Sequence, residues 1–168
     1  MEITTIENFL EFYERTREGT LRILKVVPAD KMDWAYLPGK FTIADLIRHI
    51  AAIERNLFAE VVLGNKMNYQ GCGKELADGY ENIMLYFNEM HAQSVEIFGR
   101  LTEADLSKTI ITASGKPTTL RNFLRALIIH ESHHRGALCI YLNLLGVQTP
   151  PIYGVSSEDI IQLSKSHA

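Results

Sequence analysis

Apolar residues recur three and four positions apart along most of this chain, which is the spacing of one face of an α-helix. Four long segments follow this pattern and are predicted as helices, at about residues 4–27, 42–63, 75–101 and 119–145. A threonine followed three positions later by an acidic residue opens the first two, at Thr4 and Thr42, as in a capping box. Gly64 and Gly146 are placed to end the second and fourth helices.

The connections between these segments differ in length. The longest lies between the third and fourth helices, where a short run at residues 109–112 and a Ser114-Gly115 turn predict either a small hairpin or a plain loop. Ser156-x-x-Asp159 predicts a short last helix. The chain is therefore predicted to be all-α: a four-helix bundle in a single domain over residues 1–168, with a long connection between helices 3 and 4 and a short C-terminal helix.

The composition is that of a globular domain and excludes several classes of protein. The 168 residues are 46% hydrophobic and 22% charged with a formal net charge of -3, so we expect no broad basic surface for nucleic acid. No apolar run reaches the roughly 18 residues of a membrane span. The N-terminal residues also lack the basic and apolar parts of a secretory signal. Cys72 and Cys139 are too few for a disulfide framework, which favours a cytoplasmic location.

Three of the six histidines lie together on the predicted fourth helix, in the run His130-Glu131-Ser132-His133-His134. His130 and His134 are four positions apart and interrupt the apolar stripe that faces the core, so their rings lie one turn apart on one face. Each neutral imidazole has two ring nitrogens to satisfy, and a divalent cation between the rings satisfies one nitrogen of each. The pair predicts a metal site, with core histidines bonded to ordinary partners as the alternative.

A catalytic zinc site needs a third protein ligand and an open coordination position. His49 is the best candidate, because it lies at the edge of the apolar row on the second helix. An edge position also suits an exposed histidine. Of the remaining histidines, His133 is expected on another face of its helix or at a subunit contact, His91 in solvent and His167 in the C-terminal tail.

The same five residues match the pattern His-Glu-x-x-His, in which two histidines bind zinc and the glutamate is the general base of a metalloprotease. In that interpretation Glu131 is the base, and Glu158 is available as a third ligand. A protease would also need an edge strand to hold its peptide, and the chain offers no clear strand before this helix beyond residues 109–112. A metallopeptidase is the second hypothesis, and a non-enzymatic bundle that binds metal or a partner is the third.

Two segments of the chain resemble the DinB-like superfamily, small bacterial proteins of the damage-inducible and bacillithiol-transferase type. The second helix of that family is matched by Trp34, Pro38 and the run FTIADLIRHI at residues 41–50, and its last helix by His130-x-x-x-His134-Arg135-Gly136. One departure is Ala137, where the family often has glutamine. The resemblance covers nearly the whole chain in length, helix order and histidine positions.

This resemblance implies a four-helix bundle, a homodimer and a divalent metal held by His49, His130 and His134. Zinc and nickel both suit imidazole ligands. Family members linked to low-molecular-weight thiols imply thiol transfer to a small molecule, and hydrolysis is the other reaction that such a metal supports. The resemblance does not assign a role to Glu131.

Four residues are further candidates for the pocket: Glu131, Trp34, Tyr141 and Tyr153. Glu131 is expected either to support the metal site or to pair with Arg135 one turn later. Trp34 and Tyr141 also suit ordinary packing. Cys139 lies away from the histidine stripe and is expected as a small buried hydrophobe, whereas Cys72 lies between glycines and is expected to be exposed.

Overall fold

The computed structural model of the chain describes residues 2–152 and 154–166. The elements in chain order are α1 (Ile6–Leu24), α2 (Ile43–Ile53) with a π-helical continuation (Glu54–Ala59) and a last α-helical turn (Glu60–Val62), α3 (Tyr80–Phe98), β1 (Thr109–Ile111), β2 (Pro117–Thr119), α4 (Leu120–Leu144) and α5 (Ser157–Ser166). Helix α4 packs against α1 and α2, and α2 packs against α3. The all-α four-helix bundle is confirmed. Within the described ranges, no helix is long and apolar enough to cross a membrane.

Side-chain caps and one glycine determine where the long helices begin. The cap of α1 is Thr5 rather than the expected Thr4, and the Thr5 hydroxyl accepts a hydrogen bond from the Asn8 amide at 3.0 Å. Thr42 forms the expected capping box at the start of α2. Helix α3 begins five residues later than predicted because Gly79 has a positive φ of 79°, a left-handed conformation that interrupts a helix.

The second helix is not uniform, although its periodicity predicts a single α-helix over 42–63. Between Glu54 and Ala59 its hydrogen bonds have the wider π-helical spacing, a feature that often accompanies functional sites. The extra residue per turn rotates the following side chains relative to an α-helix. Glu54 lies at the start of this segment and is completely buried.

The core consists of two apolar clusters with buried polar groups between them. One cluster contains Ile23, Ile47 and Phe87, and the other is at the opposite end of the helices, around Phe9 and Phe98. Five of the buried polar residues lie near the place along each helix where one cluster gives way to the other: Arg17 and Thr20 on α1, Glu54 after α2 and next to Ile53 of the second cluster, Ser94 on α3 and Glu131 on α4. We call this set the polar layer.

The connection between α3 and α4 contains a small hairpin, which decides between the two structures that the sequence left open. Strands β1 and β2 are antiparallel, with Thr109 opposite Thr119 and Ile111 opposite Pro117. The amide of Leu120, the first residue of α4, donates to the Lys108 carbonyl at 2.8 Å. The hairpin therefore leads directly into the helix that carries His130 and His134.

Candidate metal centre

Two helices bring three histidines to one place. His49 on α2 and the His130–His134 pair on α4 each offer one ring nitrogen, and the three nitrogens lie within 4.8 Å of one another. The Nε2 atoms of His49 and His130 are 3.2 Å apart. The ring centroid of His134 lies 4.6 Å from that of His49 and 4.5 Å from that of His130. The structure thus brings together all three residues that the sequence selected as ligands.

Burial and mutual repulsion keep these imidazoles neutral at neutral pH. Burial, followed by the nearby histidines, lowers the pKa of His130 to about 3 and that of His134 to about 4. Burial also lowers the pKa of His49. A neutral imidazole keeps a lone pair on one ring nitrogen, which is the form that binds a metal.

The donor set fits a divalent cation. Three nitrogen donors from protein side chains are typical of a catalytic zinc site, in which a fourth position stays open. The Nδ1 atom of His49 is engaged elsewhere, so its Nε2 atom is the one that faces the cluster. Imidazole nitrogens suit zinc and nickel better than magnesium or calcium, which prefer oxygen ligands.

Tyr69 supports His49 from outside the cluster, and the sequence analysis missed it. Its hydroxyl oxygen lies 2.8 Å from Nδ1 of His49, and the two rings meet edge to face. Burial, with a smaller contribution from Cys72, raises the pKa of Tyr69 well above its ordinary value, so the phenol keeps its proton. Tyr69 lies in the loop between α2 and α3, where no periodicity indicates which side chains face the site.

Arg48, the neighbour of His49 on α2, anchors the loop that carries Tyr69. Its buried guanidinium donates to the carbonyl of Cys72 at 2.7 Å, to that of Ala77 at 2.9 Å and to Asp45 at 2.6 Å. This attachment also explains why Cys72 is buried and not exposed as expected. Consecutive residues of one helix therefore provide a candidate ligand and the clamp for the loop that orients it.

Aromatic side chains lie on another side of His49. The Phe41 ring centroid is 5.4 Å from that of His49, and the Phe41 carbonyl accepts a hydrogen bond from the Tyr141 hydroxyl at 3.1 Å. Trp34 and Tyr36 pack against the Tyr141 ring, each with centroids 5.5 Å away. The Trp34 and Tyr141 candidates thus belong to a wall beside the site, whereas Tyr153 lies outside the described residues.

Glu131 does not face the histidines, and neither of the two roles expected for it is observed. Its side chain is completely buried in the polar layer, where burial raises the pKa of the carboxyl group. Arg17 and Glu54 are its charged neighbours, and its carboxylate oxygens have no well-formed hydrogen bond. Arg135 makes no ion pair with it and donates to the Thr16 carbonyl instead. The reason is helical geometry, because residue 131 is rotated by about 100° from residue 130.

Two other expectations are also changed by the packing. His91 is not in solvent: its Nδ1 atom lies 3.1 Å from a carboxylate oxygen of Glu54 and 3.2 Å from the Tyr13 hydroxyl. It faces the polar layer because α3 turns that side toward α1 and the π-helical segment. Glu158 lies exposed on α5 and is not part of the histidine cluster, so His49 occupies the third position instead.

Comparison with known proteins places this chain in a family. The model of the DinB superfamily matches residues 13–138, which is most of the chain. The chain belongs to the DinB superfamily. The Bacillus subtilis (strain 168) protein YjoA, itself uncharacterized, is 29% identical over 153 residues, which cover 88% of this chain and 93% of YjoA.

Solved structures share the fold at low sequence identity. YfiT from Bacillus subtilis, described as a probable metal-dependent hydrolase with an unusual four-helix bundle topology, aligns with a TM-score of 0.64 at 16% identity, over 84% of this chain and 90% of YfiT. A variant of a mycothiol-dependent maleylpyruvate isomerase aligns with a TM-score of 0.61 at 17% identity, over 81% of this chain and 63% of the isomerase. The match of the family model to residues 13–138 confirms the resemblance to the DinB-like family.

Proposed function

We propose that this DinB superfamily member is a metal-dependent enzyme that acts on a small molecule, with His49, His130 and His134 as the metal ligands. The observation that carries the proposal is the convergence of three neutral imidazole nitrogens from two helices within 4.8 Å. A divalent cation held by three neutral ligands supplies its full positive charge as a Lewis acid. Zinc and nickel are the metals that this donor set favours.

The residues around the cluster suit binding and orientation of a substrate. In the proposed holoenzyme, His49 donates its Nδ1 proton to the Tyr69 hydroxyl, and this fixes the tautomer that leaves Nε2 free. Phe41 is exposed beside His49, and Tyr36 is exposed against the Tyr141 ring; the two offer an apolar surface to the body of a substrate. Glu131 has no access to this space, which weighs against the metallopeptidase hypothesis because that mechanism requires the glutamate as general base.

Transfer of a low-molecular-weight thiol is the reaction class that we favour. In such a step the thiol loses its proton, its sulfur forms a bond to an electrophilic carbon, and the leaving group departs with the electron pair. The name of the mycothiol-dependent isomerase supports thiol chemistry on this fold. Hydrolysis is the second candidate and is supported by the description of YfiT.

The location and assembly of the protein belong to the same proposal. Cys72 and Cys139 are both free thiols, which supports a reducing, cytoplasmic environment. A homodimer is supported by an apolar row on the outer face of α4, formed by Ile129, Ile140 and Leu144. Neither nucleic acid nor a membrane is proposed as a partner.

Metal analysis of purified variants tests the proposal. We expect the wild type to bind one zinc or nickel ion per chain, and His49→Ala and His134→Ala to weaken that binding at least about tenfold, since each removes a ligand. His133→Ala is the matched control, because His133 lies exposed one residue from His134 and outside the cluster. Retention of metal by His49→Ala, or an equal loss in His133→Ala, would contradict the assignment.

The reaction class is tested separately with the metal-loaded protein. Consumption of bacillithiol, mycothiol, glutathione or cysteine in the presence of an electrophile is expected to require both His49 and His134. Turnover of ester or amide substrates with no thiol present would favour the hydrolase.

A further inference from the structure

A groove lies between α1 and α4, outside the histidine cluster. Its volume is about 980 Å³, and the segment at residues 150–152 with Gly154 closes one side. The side chains that matter for its chemistry are Phe12, Arg15, Arg22, Ser132, Arg135 and Ile152. We call this space the α1–α4 groove. It shares no residue with the candidate metal centre.

Arg135 is a buried cation in this groove with little to compensate its charge. Only 7% of the residue is exposed, and its one hydrogen bond runs from Nη1 to the Thr16 carbonyl at 3.1 Å. No carboxylate of residues 2–152 or 154–166 pairs with it, and its Nε atom is buried without a hydrogen-bond partner in those ranges. Proteins normally pair a buried charge with an opposite charge, since leaving it unpaired costs several kcal/mol. The guanidinium therefore has unused capacity to bind an anion.

Gly19 on α1 makes room for this guanidinium. A Cβ atom at position 19 would lie 2.6 Å from Nη1 of Arg135 and 3.8 Å from Nη2 of Arg22. A glycine inside a helix costs about 1 kcal/mol of helix stability relative to alanine. At position 19 this cost allows the Arg135 guanidinium to approach the backbone of α1. The two guanidinium groups approach each other at this point, and Nη2 of Arg22 also donates a hydrogen bond to the Ile152 carbonyl at 2.9 Å.

The groove carries an excess of positive charge on a chain that is acidic as a whole. Arg15, Arg22 and Arg135 line it together with one acid, Glu18. Arg15 forms an exposed ion pair with Glu11 at 4.0 Å, whereas none of the three arginines pairs with Glu18, and the net charge of the chain is -3. Local positive charge of this kind raises the concentration of small anions at the surface.

We propose that the α1–α4 groove binds a small organic anion through a carboxylate or phosphate group. Arg135 and Arg22 bind the oxyanion, because a guanidinium donates two parallel hydrogen bonds to such a group. Phe12 and Ile152, with the prolines at 150 and 151, contact the apolar part of the ligand. This site is independent of the proposed metal chemistry.

Calorimetric titration with four probes tests the site: phenyl phosphate, benzoate, inorganic phosphate and benzylamine. The titrations are carried out on the full chain carrying His49→Ala, after metal has been removed with a chelator and the chelator has been removed by dialysis, so that an anion cannot bind to a metal at the histidine cluster. We expect phenyl phosphate or benzoate to bind in a saturable, salt-sensitive manner, more tightly than inorganic phosphate, and benzylamine not to bind.

Arginine variants in the same background locate the binding. Arg22→Gln is expected to weaken it about tenfold, since one charge-assisted contact is lost. Arg125→Gln is the matched control, because Arg125 is exposed on α4 outside the groove. Arg135→Lys keeps the charge but loses the planar fork, and its melting temperature shows whether it folds.

Three outcomes would overturn the proposal. The first is absence of saturable binding for both aromatic anions. The second is equal weakening by Arg22→Gln and Arg125→Gln, which would mean that only net charge matters. The third is equal affinity for inorganic phosphate and phenyl phosphate. That result would mean that the groove binds the free ion and that the apolar part of the ligand contributes nothing to binding.

Discussion

Tyr69 closes one side of the candidate metal centre and contacts it through a single hydrogen bond. The bond to Nδ1 of His49 is 2.8 Å long, and the phenol is held in place by a loop that Arg48 attaches to α2. A partner on the second nitrogen of a ligating histidine sets both its tautomer and its orientation. Tyr69 is therefore a positioning residue in the proposed enzyme.

Tyr69→Phe removes only the hydroxyl group and tests this role. We expect the zinc affinity to fall about tenfold, because Nδ1 of His49 loses its partner while the ring stays packed. Competition with a chromophoric chelator measures the dissociation constant. Tyr80→Phe is the control. Tyr80 packs against the core cluster around Phe87, and its hydroxyl makes no hydrogen bond to residues 2–152 or 154–166. Equal zinc affinities for Tyr69→Phe and the wild type would show that the hydroxyl does not position His49.

Glu54, the first residue of the π-helical segment after α2, joins several residues of the polar layer. Glu54 at its start is completely buried, 3.6 Å from the Arg17 guanidinium and 3.1 Å from His91. Arg17 also donates to the Phe87 carbonyl and lies over the Phe87 ring. The carboxylate of Glu54 thus connects the end of α2 with α1 and α3.

Glu54→Gln removes that charge with little change in shape and leaves Arg17 buried. We expect the free energy of unfolding to fall by about 3 kcal/mol, the cost of breaking a buried ion pair from one side. Chemical denaturation at pH 7 measures the change. Glu96→Gln is the matched control because Glu96 pairs with Arg100 on the surface, where loss of a pair costs about 0.5 kcal/mol or less. Similar losses in the two variants would contradict the structural role of the buried pair.

The molecule as a whole buries two apolar clusters but leaves one long apolar row uncovered. Ile129, Ile140 and Leu144 are each about 60% exposed along the outer face of α4. His133 and Ala137 lie on the same side of the helix. In a two-fold symmetric dimer the same surface of each copy meets its counterpart, so a single apolar row on α4 is enough to form both sides of the interface. This row is the dimer surface that we propose.

Ile140→Glu places a charge in the middle of the row and tests the assembly. We expect light scattering to give twice the 19.0 kDa chain mass for the wild type and a single chain mass for the variant, because the charge would be buried in the interface. Leu85→Glu is the control, since Leu85 is similarly exposed on α3. A monomeric wild type, or a dimeric Ile140→Glu, would contradict the proposed interface.

Local sequence determined the helices and the pairing of two of the three candidate ligands, His130 and His134. Hydrophobic spacing of three and four residues is a property of each segment by itself, so the four helices were predictable to within a few residues. The four-residue spacing of His130 and His134 likewise follows from helix geometry alone. The position of His49 in its apolar row indicated which side of α2 faces the bundle.

Tertiary structure alone decided what surrounds these residues. Tyr69 reaches His49 because Arg48 holds a loop against α2, and no periodic signal marks a residue in such a loop. Glu131 and His91 meet Glu54 in the polar layer because the helices that carry them pack together there, and the periodicity within one helix does not predict which neighbours it meets. Contacts between elements depend on how the helices pack, and that packing minimises the free energy of the whole chain rather than that of any one segment.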